Sequence, residues 1–271
     1  MSHKHLTTAA AALATILTAG TATAQAADHP ALHVNPRWKE CSFQLDPSLT
    51  QAAWHQFTQE AGLVTYFRPT VDARPLGRGN FEVSILQWDT GIHDDDSAWN
   101  DTFVHPDSTH WLFEGSGLKF PGLTLRAGVS AHTDVGVYFT KNPNANYGFY
   151  GGQVQHNFIE SADGNWSASA RASYVSMFGP DDVDFSVAGA DLVASRRIAI
   201  TSWADVSPYA GVSGYLSRAH EKSAVVNLAD EHTPGAQAMV GASLRVLGAR
   251  FAAEYNAARV HTVSMKIGFA R

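Results

Sequence analysis

Strict alternation constrains this chain more than any other feature. In the last strand-like segment Val263, Met265, Ile267 and Phe269 fall on one parity, while Thr262, Ser264, Lys266 and Gly268 fall on the other. Side chains of an extended strand point alternately to opposite faces, so such a segment has one apolar and one polar face. A longer instance sets Trp166, Ala168, Ala170, Ala172 and Tyr174 against Ser167, Ser169, Arg171 and Ser173. Tyr150, Gly152, Val154 and Phe158 oppose Gln153, Gln155 and Asn157 in the same way. A helical period of 3.6 does not fit these segments, so they fold as sheet.

Strand signals recur from Leu63 to Ala270, giving about 12 candidates, with 10 if the first two lie outside the membrane; bacterial barrels have even strand numbers. The first two are Leu63 to Phe67 and Phe81 to Trp88, and Ile198 to Ala204 and Pro208 to Leu216 are counted as separate strands. Phe185 and Val187 share one parity, whereas Ala188, Ala190, Leu192 and Ala194 share the other. A bulge near Gly189 would explain the switch, and so would a segment that is not a strand.

One helix is expected ahead of the strands. Asp46 can cap it, Pro47 suits its first position, and Leu49, Ala53, Trp54 and Phe57 form an apolar stripe before Gly62 stops it. Such a helix can sit on a barrel mouth, lie at the interface or plug the lumen, with a structural cap as its ordinary role. Arg68, Arg74 and Arg78 follow in a connection. Solvated loop charge is the ordinary reading, and a site for lipid phosphate or another anion is the alternative.

The N-terminus reads as an export signal. A basic start with Lys4 precedes an apolar run from Ala9 to Thr18 and small residues ending in Ala24-Gln25-Ala26, so cleavage is expected after Ala26. Cys41 lacks a lipobox and, as the only cysteine, forms no internal disulfide. The expected organisation is residues 1–26 as signal peptide, 27–61 as an irregular segment plus short amphipathic helix, and 62–271 as the barrel. A net charge of −6 argues against nucleic acid as a partner.

A long polar loop at about 90–119 carries His93, Asp94, Asp96, Asp101, His105, Asp107 and His110. Carboxylates and imidazoles at this density could ligate a divalent cation. The calcium-loop pattern of alternating acids fails, because Asp94-x-Asp96 is followed by Ala98. A hydrated or self-packed loop is therefore the main expectation, with no cofactor, and a divalent cation is the alternative.

With its signal peptide, its small-and-aromatic alternating strands and its terminal strand, the chain from about Gly62 onward resembles Gram-negative outer-membrane β-barrel proteins. The resemblance implies an all-β, antiparallel transmembrane barrel, located in the outer membrane after export to the periplasm and surrounded by outer-membrane lipid. It also implies recognition by the barrel assembly machinery through the C-terminal strand. In that family the last residue is commonly Phe. Here Phe269 holds the assembly-signal role, although Ala270 and Arg271 follow it.

The polar parity nominates Arg126, Gln153, Gln155, Arg171, Arg245, Glu254 and Lys266 as lumen-lining residues. Their mixed charges favour pairing across a small, filled barrel over lining an open pore. The expected function is a structural barrel or a narrow passive channel for small solutes. Two alternatives are a lipid-acting outer-membrane enzyme and a soluble periplasmic lipocalin-like binding barrel with an apolar interior. For the enzyme, the His-x-Ser-Asn-Gly signature of outer-membrane phospholipases is absent. Gly115-Ser116-Gly117 and Gly211-Val212-Ser213-Gly214 likewise do not complete Gly-x-Ser-x-Gly, and no catalytic residue is nominated.

Overall fold

The structure, a computed structural model, describes residues 42–68, 70–93, 96–104, 118–141 and 145–271. In chain order the elements are β1 (Ser42–Phe43), α1 (Gln51–Thr65), β2 (Phe81–Thr90), α2 (Ser97–Asn100), β3 (Phe103–Val104), β4 (Leu118–Gly128), β5 (Thr133–Lys141) and β6 (Gly148–Glu160). They continue with β7 (Trp166–Phe178), β8 (Val183–Arg196), β9 (Ile198–Ala199), β10 (Ala204–Glu221), β11 (Glu231–Val246), β12 (Ala249–Ala257) and β13 (Thr262–Ala270). Ten strands pair antiparallel in the order β11-β12-β13-β2-β4-β5-β6-β7-β8-β10, and β10 pairs with β11 to close the barrel.

Two of the expected strands are not barrel strands. Leu63, Val64 and Thr65 end α1, and Tyr66 and Phe67 continue into the lumen. Ile198 and Ala199 form only the two-residue β9, which pairs with the start of β10. Asp205, Val206 and Ser207, the expected connection between Ile198 to Ala204 and Pro208 to Leu216, lie within the 18-residue β10.

The outer wall is apolar. Ile85, Leu123, Val137, Val154, Leu192, Val212, Val240 and Ile267 are exposed, with aromatic residues towards both rims: Phe139, Tyr150 and Tyr255 at one end, Phe81, Trp166, Phe251 and Phe269 at the other. Over most of the wall the inward parity is polar, including Ser167, Ser169, Gln153, Gln155, Asn157, Ser213 and Ser264. This polarity suits strands with lipid outside and a polar lumen inside, and it is the reverse of the lipocalin-like alternative. Among the described residues no helix is long and apolar enough to cross a membrane.

The inward parity turns apolar at one end, and α1 is the reason. Val183, Phe185, Val187, Val175, Met177 and Phe149 face inward there and pack with Trp54, Phe57 and Trp99. The apparent parity switch in β8 is therefore a change in what fills the lumen. β8 keeps unbroken register with both neighbours, so no bulge occurs at Gly189. Gly189 faces inward, and a Cβ there would lie 2.2 Å from the Tyr66 ring. A glycine is needed for that close approach.

Helix α1 starts later and ends later than the expected caps. Asp46 instead holds a preceding turn through its hydrogen bond from the Ser48 N–H, 2.8 Å. Thr50 is the N-cap and accepts from the Ala53 N–H at 3.2 Å. Gly62 does not stop the helix. It lets α1 press on the wall, because a Cβ at Gly62 would lie 1.9 Å from Ser217 Oγ.

Past α1 the chain runs the length of the lumen as a plug. Tyr66 donates to Asp191 (2.7 Å), the Ala73 N–H donates to Ser195 Oγ (3.1 Å), and the Leu76 N–H donates to Asp134 (3.0 Å). Phe81 then enters β2 beside the chain terminus, exchanging backbone hydrogen bonds of 2.8 and 2.9 Å with Arg271. The α1 mouth and the C-terminal mouth are thus opposite ends of the barrel.

Candidate functional site, a plugged lumen

The lumen holds three zones, each built by strand parity and completed by the plug. At the α1 mouth the filling is aromatic. Phe57 stacks on Trp54 (5.4 Å) and meets Trp99 edge-on (4.9 Å), while Phe43 meets Tyr147 edge-on (5.1 Å). Within this apolar zone sits Glu60, whose side chain is fully buried. It accepts from Trp99 Nε1 (2.8 Å), from the His93 N–H (3.2 Å) and lies 2.6 Å from His93 Nδ1, with Arg259 Nε at 3.5 Å. One carboxylate on α1 thereby ties down both α2 and the 258–261 turn.

The middle zone is a buried polar network. Arg171 pairs with Asp191 at 2.5 Å, donates to Gln153 at 2.9 Å, and lies over the rings of Tyr66 (5.7 Å) and Phe67 (5.5 Å). Asp191 also accepts from Tyr66 and Ser213. Glu254 accepts from Tyr209 (3.0 Å) and Asn256 (2.8 Å). Arg68, fully buried, donates to the Leu63 carbonyl (2.6 Å) and to Thr262 (3.0 Å). A buried ion is tolerated when it is paired and hydrogen-bonded, and here the wall supplies most of the partners while the plug adds the Tyr66 hydroxyl and the Arg68 guanidinium.

The zone at the C-terminal mouth is the most charged. Asp72 of the plug pairs with Arg74 (3.1 Å) and Arg245 (3.1 Å) and accepts from Ser243, and Arg74 reaches Asp205 at 2.6 Å. Beside them Glu82 pairs with Lys266 (2.9 Å), Arg250 (3.3 Å) and Arg126 (3.7 Å), and Arg126 lies 3.7 Å from Asp134.

Of the seven residues nominated from the polar parity, Arg126, Gln153, Gln155, Arg171, Glu254 and Lys266 are buried inside the barrel, and Arg245 is mostly so. Their partners were missed: Asp191, Glu82, Asp72 and Tyr66 complete the network. The inward parity of β8 would have found Asp191, but Phe185 and Val187 on the same parity disguised it. Arg68, Arg74 and Arg78 do not form a cluster. The first two are spaced along the plug, and Arg78 lies exposed at the turn before β2.

The residues nominated for a cation are only partly described. Asp94, His105, Asp107 and His110 lie outside the described residues. His93 pairs with Glu60, and Asp96 precedes α2 and accepts from Gln56. Asp101 sits in the turn after α2, where burial and the nearby Asp46 carboxylate push its carboxyl above the usual range. Among the described residues no three His, Cys, Asp or Glu side chains come together as a metal-binding group. Phe269 is exposed on the outer wall, with its ring against the Gly248 turn, where a Cβ would lie 2.3 Å from it.

No protein-family model matches the chain, and no curated protein does. Solved structures do. Ail of Yersinia pestis aligns at 12% identity over 72% of this chain and 99% of its own, with a TM-score of 0.29. The β domain of the Bordetella autotransporter BrkA aligns at 11% identity over 72% and 100%, with a TM-score of 0.41. LpxR from Salmonella typhimurium aligns at 10% identity over 70% and 99%, with a TM-score of 0.35. A closed ten-stranded antiparallel barrel with an apolar outer wall and a polar lumen is, by its own geometry, the architecture of the Gram-negative outer-membrane β-barrel proteins.

Proposed function

We propose that this protein is a sealed structural barrel of the Gram-negative outer membrane, closed by its own N-terminal segment and not serving as a passive channel. The observation that carries this reading is the continuous filling of the lumen, from the aromatic packing around Trp54 and Phe57 to the ion pairs of Asp72 with Arg245. A solute path needs water along its length. Here the plug replaces that water with hydrogen bonds from Tyr66, Arg68, Ala73 and Leu76 to the wall. The apolar wall supports contact with outer-membrane lipid, and the exposed aromatic at Phe269 supports a role for the C-terminal strand in recognition by the assembly machinery.

Planar-bilayer recording on the refolded, heat-modifiable protein tests the reading. Wild type is expected to insert without stepwise conductance, whereas removal of residues 27–80 opens steps in any molecules that still fold. Steady conductance from intact wild type would overturn the sealed barrel and restore the narrow channel.

A further inference from the structure

The C-terminal mouth contains a cavity of about 440 Å³ between the 200–203 turn and the Leu247-Gly248 turn. Arg197, Arg245 and Arg250 line it, with Asp205 as the acidic group among the lining residues. Both oxygens of Asp205 are engaged, one by Arg74 at 2.6 Å and the other by Arg197 at 3.3 Å. Among the described residues, the ion pairs around this mouth join six cationic side chains, Arg74, Arg126, Arg197, Arg245, Arg250 and Lys266, to four carboxylates, those of Asp72, Glu82, Asp134 and Asp205.

Two of the lining guanidinium groups carry a buried donor without an acceptor. Arg245 Nε is buried without a hydrogen-bond acceptor among the described residues. So is Arg250 Nη1, which lies 3.3 Å from Glu82 but outside hydrogen-bond geometry. Buried donors are ordinarily satisfied, and a cation excess in a partly enclosed cavity attracts a counter-ion. Several guanidinium groups converging on one cavity suit a multi-oxygen anion, because each presents a planar fork of N–H donors.

The rim adds a second property. Trp203 and Leu247 are 56% and 81% exposed, and the Leu247 N–H donates to the Trp203 carbonyl at 2.9 Å, so the two apolar residues are held side by side. Leu247 is kept there at φ +55°, a conformation that a non-glycine residue adopts only at a cost. Large apolar side chains beside a cationic cavity match the junction of a phosphate group and an acyl region.

We propose that this cavity binds a phosphate-type oxyanion, held by Arg197, Arg245 and Arg250. The inference is independent of whether the barrel conducts.

The test is isothermal titration of the full chain in phosphate-free maltoside micelles at low salt. One arm uses inorganic phosphate and the other dihexanoyl-phosphatidylglycerol below its micellar concentration. Saturable one-to-one binding of at least one probe is expected. Saturation by the lipid alone assigns the site to a headgroup, and saturation by both assigns it to the oxyanion itself. Loss of one charge-assisted contact in Arg250→Gln or Arg197→Gln should weaken binding by about tenfold. Arg197 is half-exposed, so its variant decides the matter if Arg250→Gln loses its heat-modifiable fold. Absence of saturation by either probe in wild type, or wild-type affinity in the folded variants, would overturn the proposal.

Discussion

Thr70 is a strained residue of the plug. It is β-branched and fully buried at φ +44°, and its hydroxyl has no hydrogen-bond partner among the described residues. Left-handed backbone at such a residue costs on the order of 1–3 kcal/mol, and a buried unsatisfied hydroxyl adds to that. Thr70→Gly removes both penalties at the expense of a more flexible unfolded chain, so a net stabilisation of about 1 kcal/mol is expected. The temperature at which the heat-modifiable band unfolds should rise, and a fall would show that the threonine is held by something other than the backbone. Asp72 is the opposite case. Its side chain is fully buried between Arg74 and Arg245; Arg74 keeps Asp205, but Asp72→Ala strands Arg245 and should cost about 3–5 kcal/mol. Urea unfolding followed by gel mobility measures it, and a loss below about 1 kcal/mol would mean that water replaces the carboxylate at little cost.

Helix α1 holds the outer elements of its mouth through Glu60. Truncating that carboxylate leaves Trp99 Nε1 without its buried acceptor, so Glu60→Ala should cost about 1–3 kcal/mol and loosen the 96–104 segment. Limited proteolysis of the folded barrel should then cut near α2 faster than in wild type, and an unchanged rate would place the anchoring in the aromatic packing alone. The terminal strand β13 offers a different contrast. Phe269 lies over the Gly248 turn, whereas Val263 lies near the other rim, so Phe269→Ala should lower the yield of membrane-inserted barrel severalfold more than Val263→Ala. Equal yields would remove Phe269 from any special part in assembly.

How far the sequence exposed these elements depended on whether lipid or the plug lay behind them. Alternation in β7 and β13 reports faces directly, because lipid wants apolar groups and the open part of the lumen wants polar ones. In the upper half of β8 the same rule misleads, since α1 makes the lumen apolar there and Phe185 and Val187 turn inward. The plug itself has no period at all. The described plug residues are shaped by partners on strands all round the barrel, and no local pattern in an extended chain records that Tyr66 meets Asp191 or that Arg74 meets Asp205. Leu63 to Phe67 looked like a strand for a related reason, as a continuous apolar run suits a buried helix end equally well.

The two mouths of the whole molecule differ in their longest connections, and this predicts an orientation. At the C-terminal mouth the strands are joined through residues 129–132, 161–165, 197–203 and 247–248; at the α1 mouth they are joined through 91–117, 142–147, 179–182, 222–230 and 258–261. Counting Ile198 to Ala204 and Pro208 to Leu216 as two strands obscures this asymmetry. Four-residue turns occur at both mouths, at 129–132 and at 179–182 and 258–261, but the long connections 91–117 and 222–230 are both at the α1 mouth. Outer-membrane barrels place short turns in the periplasm and longer loops outside, so the expected orientation has α1 in the outer mouth and the arginine-lined cavity towards the periplasm. The plug then enters from outside, because β1 pairs with β3 beside the α1 mouth while Phe81 starts β2 at the other end. An epitope inserted between Val225 and Val226 should be labelled by antibody on intact cells, and one inserted between Asp163 and Gly164 only after the outer membrane is permeabilised. The reverse labelling would turn the barrel over, putting α1 in the periplasmic mouth and the Arg197, Arg245 and Arg250 cavity at the cell surface.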